Sequence, residues 1–308
     1  MITTYITSIG IFVLDDTKLI QKEMFTIEQS KEFVLNKKIP ESKLIESYGN
    51  VTTASNNKIL IELTNPEYKS LFRELNIAIT KNQIRNSFTR DQIITNIVSV
   101  IEDYEIITNT LVKRLRDFYS IYSPEVSSKI ESHERFVQLI LEKTREELLE
   151  ELNVIDHMGA EILEQDLEEI KSLAKVTQEL YISKKDYQDK LEIVMKEVVP
   201  NVHAIAGTMI GGKLLAMAGS LYKLSIYPAS TIQLLGAEKA LFRHLKTGAR
   251  PPKYGFLLMH PFVTGAKKQN KGKVARMLAD KIAIAAKVDY FKGEFCGDKL
   301  RADVEGRL

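Results

Sequence analysis

The chain has 308 residues, 44% of them hydrophobic, enough to bury the cores of two or three domains. Its single cysteine, Cys296, excludes an internal disulfide and any metal site built from several thiolates, and fits a reducing compartment. The net charge of +2 hides an asymmetry, since residues 201–308 carry 18 Lys+Arg against 7 Asp+Glu while residues 1–200 carry 25 against 34. A basic last third on an acidic body points to a polyanion partner for that third, and a basic surface that serves solubility alone is the plain alternative.

The opening MITTYITSIGIF has no basic segment ahead of its apolar run, so no secretory signal is expected. ITTYITSIGIFVLD and KILIEL at 58–63, set off by the polar DDTK and SNN, read as strands, and Ile27–Leu35 as a helix. These make a small α/β unit over roughly residues 1–88, without a Gly-rich phosphate loop after either strand run.

From Asp91 the pattern becomes helical, with Ile94, Ile97, Val98, Ile101, Ile106, Leu111 and Leu115 at spacings near three and four. Pro124 ends that element, Ser123 is placed to cap the next, and a second helical run extends to about Leu152. After Gly159 a third begins, in which Leu163, Leu167, Ile170 and Ala174, then Tyr187, Leu191, Val194 and Val198, step by 4-3-4. A helix of nearly 40 residues would be about 60 Å long, so the spacing predicts an antiparallel coiled coil over 89–200, with self-association as a further use of its apolar seam.

The last third, 201–308, reads as several short packed helices broken at Pro251-Pro252 and Met259–Phe262. Val198–Tyr222 is apolar enough to suggest a membrane span, but Pro200, Asn201, His203 and Lys213 interrupt it, and a buried small-residue helix is the better reading. Within it GTMIGGK (207–213) has the G-x-x-x-x-G-K spacing of a phosphate loop. Leu214 stands where Ser or Thr should hold magnesium, and no core strand precedes it. Gly207, Gly211 and Gly212 are expected instead to let helices approach closely. The five histidines show no metal-ligand spacing, and no G-x-S-x-G elbow occurs. Carboxylate pairs such as Glu168/Glu169 lie on a charged helical face. No catalytic residues, metal or cofactor are therefore expected in this chain.

Between Glu238 and Arg276 there are ten cations against one acid. The first group lies in STIQLLGAEKALFRHLK (230–246), where Lys239, Arg243 and Lys246 fall within about 60° of one another on a helix. Like charges four apart cost a few tenths of a kcal/mol, a cost that an anion would offset. Leu241 and Leu245 are expected to pack behind the stripe, and Arg250 to extend it. The second group, GAKKQNKGKVAR (265–276), reads as a basic loop entering a helix, which joins side-chain charge to free backbone N–H groups. Aromatic residues are sparse among these cations, so backbone and shape recognition of folded RNA is expected there rather than base stacking.

NVHAIAGTMIGGKLLAMAGSLYKLSIYPASTIQLLGAEKALFRHLKTGARPPKYGFLLMHP (201–261) and KGKVARMLADKIAIAAKVDYFKGEF (271–295) resemble the Nop domain, the RNA–protein binding module of box C/D ribonucleoprotein scaffolds and of a spliceosomal relative. RLRDFYSIYSPEV (114–126) and HMGAEILEQDLEEIKSLAKVTQELY (157–181) resemble that family's coiled-coil region, so the likeness covers roughly residues 90–308.

The resemblance implies a mainly α protein in three parts: an α/β fibrillarin-binding domain (1–88), a dimerising coiled coil (89–200) and an all-helical Nop domain (201–308). It implies a scaffold without catalysis, with fibrillarin supplying S-adenosylmethionine and methylating the ribose 2′-hydroxyl. The Nop domain would dock on box C/D guide RNA whose kink turn is held by a small ribosomal-protein-like protein. Gly236, Ala237, Glu238 and Lys239 fill the family's GAEK segment at the RNA. Arg243, Lys246, Lys271, Lys273 and Arg276 join them as RNA-binding candidates. Ala240, Leu241 and Phe242 lie toward the kink-turn protein, with core packing the alternative for Phe242. The family's basic loop is often richer in Arg and Pro than this one. The end at DVEGRL, without a Lys-rich tail, suggests the archaeal form, hence a cytoplasmic particle, or a nucleolar one if eukaryotic. A spliceosomal-type Nop protein, binding a kink-turn particle without fibrillarin, is the alternative.

Overall fold

The computed structural model describes residues 2–15, 18–49, 51–52 and 66–307. The chain divides into two compact units, residues 1–88 and 89–308.

In the first unit, β1 (Ile2–Ile6) pairs antiparallel with β2 (Gly10–Asp15) and parallel with β4 (Val51–Thr52), and β2 pairs antiparallel with β3 (Lys18–Met24). β2 is buried from Gly10 to Leu14 because both faces of the sheet are covered, which explains its unbroken apolar run. Phe12 and Leu14 pack with Tyr68, Leu75 and Ile79 of α3 (Pro66–Asn86), while Ile11 and Val13 pack with Phe25 and Leu44 on the opposite face. Leu44 comes from α2 (Lys43–Tyr48). The helix expected at 27–35 is α1 (Ile27–Asn36), opened by a capping box between Thr26 and Gln29. Strand β3 was not foreseen, because KLIQKEM is a mostly exposed edge without alternation. The expected strand at 58–63 lies outside the described residues.

The second unit is built on two long helices, α4 (Asp91–Tyr122) and α8 (Glu164–Val198), which run antiparallel. Ile94, Val98 and Ile101 meet Leu191 and Met195 at one end, and Val112, Leu115 and Tyr119 meet Ile170 and Ala174 at the other. Ile106 and Leu163, expected in the seam, are exposed instead. The second helical run is three short helices, α5 (Pro124–Lys129), α6 (His133–Glu142) and α7 (Arg145–Glu151). Ser132 and Thr144 start new helices by accepting hydrogen bonds from Arg135 N and Glu147 N, which breaks the run. Ser123 occupies the N-cap position of α5, but its hydroxyl makes no cap bond.

Residue 200 falls inside this second unit. There α9 (Pro200–Ala206) and α10 (Thr208–Ala218) occupy the apolar stretch considered above as a span, and no described helix is long and apolar enough to cross a membrane. A Cβ on Gly211 would stand 2.8 Å from Met195 Cε and one on Gly212 2.9 Å from Val98 Cγ2, so these two do permit close helix approach. Gly207 has open space around it and is required by its φ of +75°, which breaks the helix.

The helix that crosses this core is α15 (Lys271–Tyr290), with Val274, Ala275, Leu278, Ala279 and Ile282 buried. Near its end Asp289 is buried and caps α9 from outside that helix. Its carboxylate accepts from Asn201 N at 3.1 Å, Asn201 Nδ2 at 2.7 Å and Val202 N at 2.9 Å. Asp91 repeats the device, accepting from Leu221 N at 2.6 Å at the start of α11 (Leu221–Ile226).

His260 is buried at the start of α14 (Pro261–Gly265), its Nε2–H donating to Ile205 O at 3.0 Å and its Nδ1 accepting from Phe262 N at 3.2 Å. That pattern requires the neutral ring, and burial, then the Arg301 charge, pull its pKa below the usual imidazole value against a raising backbone bond from Ile205. The unfolded chain therefore binds this proton more readily, and stability should fall as pH drops below about 6.5. Thermal melting between pH 7.5 and pH 5 should show that fall, and the slope should shrink in His260→Gln, whose amide can keep both bonds.

Candidate nucleic-acid interface

The region expected to face RNA is an arm that closes on itself. Pro228 precedes α12 (Ala229–Leu234), and Leu235, Gly236 and Ala237 turn the chain into α13 (Glu238–Thr247). Gly248, in the left-handed region at φ +68°, ends α13, and Pro251-Pro252 prevents its renewal. The chain then returns to the base of the arm. Gly255 N donates to Gln233 O at 2.9 Å, Phe256 N to Leu235 O at 2.8 Å, and Gln233 Nε2 to Lys253 O at 2.6 Å. Leu235 is buried in the core and Phe256 is packed against it, so the two ends are fixed while the helix between them projects.

Gly236 is the pivot. Its φ is +88°, and a Cβ there would lie 2.8 Å from the Phe256 ring. The Glu238 carboxylate turns back to accept from Gly236 N at 2.7 Å, which fixes the turn. Gly236→Ala should therefore destabilise the second unit by about 1–3 kcal/mol, from left-handed strain plus overpacking. Thermal unfolding of the purified chain measures it.

No residue of α13 is buried. Lys239, Arg243 and Lys246 are exposed, and among the described residues none is in an ion pair. The expected packing behind the stripe does not occur: Leu241 is half-buried, but Leu245 is 74% exposed. Phe242 is 66% exposed, so it is not core. Viewed down the axis, Phe242 and Leu245 sit beside the cations. α13 is held by its closed base, and it offers water one stripe of charge and one of apolar surface. Exposed apolar side chains beside unpaired cations fit a composite partner of phosphate and protein.

The second basic group is only partly a loop. Residues 267–270 form a turn, and Lys271, Lys273 and Arg276 already belong to α15. Lys273 and Arg276 are exposed on one face, while Lys271 is half-buried elsewhere on the helix. Asn270, at the N-cap position, makes no side-chain cap bond. The two groups are neighbours. A Cβ on Gly272 would lie 3.6 Å from Lys253 Cδ, so the arm's returning segment lays Lys253 across the first turn of α15. Sequence reasoning also missed Arg307, which with Lys267, Lys273, Phe262 and Met277 lines a groove of about 530 Å³. No motif could have signalled that meeting of distant positions.

Among the described residues no group of His, Cys, Asp or Glu could hold a metal ion.

The model of the Nop family, described as snoRNA binding domain, fibrillarin, matches residues 100–308, two thirds of the chain. The chain belongs to the Nop family. An uncharacterized NOP5 family protein of Methanocaldococcus jannaschii is 36% identical over 259 residues, 79% of this chain and 62% of that protein. Nucleolar protein 56 of Schizosaccharomyces pombe is 33% identical over 277 residues, 82% of this chain and 56% of that protein. The Nop chain thus spans about three fifths of the length of these curated relatives. A chain in a crystal structure of a fibrillarin/Nop5p complex aligns over 99% of this chain and 98% of its own. Its TM-score is 0.48 and its identity 24%, too loose a likeness to carry any part of the assignment. The arm, α15 and both basic groups fall within the matched Nop region.

Proposed function

We propose that this Nop protein is the non-catalytic scaffold of a box C/D guide-RNA 2′-O-ribose methylation complex. The observation that carries the reading is α13, a helix with no buried residue, three cations in no ion pair among the described residues, and an exposed Phe242–Leu245 stripe. Lys239, Arg243 and Lys246 would clamp RNA phosphates, with Lys273 and Arg276 extending the contact along α15. Gly236 and Ala237 set the turn at the junction and Glu238 braces it. Phe242, with Ala240 and Leu241, would meet the small kink-turn protein. Fibrillarin, bound through residues 1–88, would bring S-adenosylmethionine and the methyl-transfer chemistry.

The coiled coil over 89–200 would pair two copies. Phe118 and Ile121 are exposed beside Ile162, Ile170 and Leu173 around a groove of about 320 Å³, an apolar surface suited to a second chain. The yeast relative is named a nucleolar protein. This particle would be nucleolar in a eukaryote and cytoplasmic in an archaeon.

Reconstitution of the full chain with fibrillarin, the kink-turn protein and a box C/D RNA tests the proposal. Co-purification of all four and methylation of a target paired to the guide are expected. Retention of the RNA particle without fibrillarin would instead favour the spliceosomal type.

A further inference from the structure

Away from the arm, three aromatic rings separated in sequence meet on the surface of the second unit. Tyr222, in the first turn of α11, lies 5.4 Å from Tyr290 between ring centroids, and Tyr290 lies 5.1 Å from Phe291 at the end of α15. Their exposures are 53%, 38% and 76%. Ile226, one turn beyond Tyr222 on α11, is exposed as well. Aromatic rings in mutual contact normally bury their faces. Here Tyr222 and Phe291 stay more than half exposed and Tyr290 over a third, at the far end of α15 from the basic turn and about 28 Å from Lys271 along the helix axis.

Three lysines flank them in sequence. Lys223 follows Tyr222, Lys287 lies one turn before Tyr290 and Phe291 on the same face of α15, and Lys292 follows Phe291. All three are exposed, and among the described residues none is in an ion pair. The nearest acid in sequence, Asp289, turns inward to cap α9, and Asp91 is turned inward to cap α11. Glu294 lies beyond the turn that ends α15. Exposed rings flanked by lysines that are in no ion pair among the described residues match a nucleobase stacked on the rings with its phosphates on the ammonium groups. A duplex hides its base faces, so the complementary ligand is unpaired. An uncharged protein surface would use the rings but leave three cations without a counter-charge.

We propose that Tyr222, Tyr290 and Phe291 form a stacking platform for single-stranded RNA, with Lys223, Lys287 and Lys292 holding its backbone. The site is separate from the arm and does not depend on a kink turn. The chain contains no tryptophan, so Tyr222→Trp places a single reporter in the platform. Titration of the full-length chain with a labelled 12-nucleotide oligouridylate should show saturable binding, with quenching of the Tyr222→Trp emission. Tyr222→Ala with Phe291→Ala should weaken binding at least about tenfold, while Tyr222→Phe should bind like the parent. The same tenfold loss should appear in the Lys239→Glu, Arg243→Glu background, which separates this site from the clamp. Absence of binding by the parent, equal binding by the double alanine variant, or RNA binding without quenching each overturns the proposal. So does a change in oligomeric state with RNA affinity unaltered, which would make the patch a protein contact. Should the double alanine variant fail to fold, the quenching result decides.

Discussion

Replacing Lys239 and Arg243 together by glutamate should weaken assembly on box C/D RNA by at least about 100-fold. A charge-assisted hydrogen bond contributes about 1.5–3 kcal/mol, two would be lost, and each glutamate would then repel the phosphate it replaced a contact to. The dependence of log affinity on log salt should flatten by roughly 0.7–0.9 per phosphate contact removed. Stability should barely change, because both side chains are exposed and neither is in an ion pair among the described residues. Exposed substitutions of this kind usually fall within about 0.5 kcal/mol. Binding isotherms at three salt concentrations, beside a thermal melt, separate lost contacts from lost fold. Unaltered assembly by a folded double variant would show that the stripe is solvated surface and would remove the basis of the clamp.

Asp289→Ala should destabilise the second unit by about 3–5 kcal/mol. The carboxylate is the buried acceptor for Asn201 N, Asn201 Nδ2 and Val202 N, and Asn201 Oδ1 in turn accepts from Cys296 N at 2.7 Å. Truncation leaves these donors buried without an acceptor at the positive end of α9 and frees the Asn201 side chain that orders the segment after α15. A melting temperature lower by about 10 °C is expected. Burial pushes the Asp289 carboxyl up from its ordinary value of 3.8, against the lowering effect of the bonds from Val202 and Asn201. The folded chain therefore holds this proton more firmly than the unfolded chain. Stability contributed by the group is lost as pH rises from about 3.8 through the raised value, and that component should vanish in the variant. Melting within 2 °C of the parent would mean that apolar packing alone holds α9 in place.

Both changes act on features that differ in how openly the sequence displays them. The stripe is legible because helical periodicity is local: Lys239, Arg243 and Lys246 must share a face once α13 forms. The role of Asp289 is not legible, since its partners lie 87 and 88 residues away. Among the glycines, Gly211 and Gly212 do permit close packing as their neighbours in sequence suggest, whereas Gly207 serves a backbone angle that spacing alone does not reveal.

Helical character from Asp91 onward, the apolar seams of two long helices, the strand nature of the first residues and the two clusters of cations can be read from residue order. All of these follow from periodicity and composition within a few turns of chain. Only in the folded chain is it visible that α13 buries nothing, that Phe242 and Leu245 face water, that Lys253 lies over Gly272, and that Tyr222 meets Tyr290. Burial and cross-chain contact depend on which distant segments close over a side chain, and residue order along one helix does not contain that information.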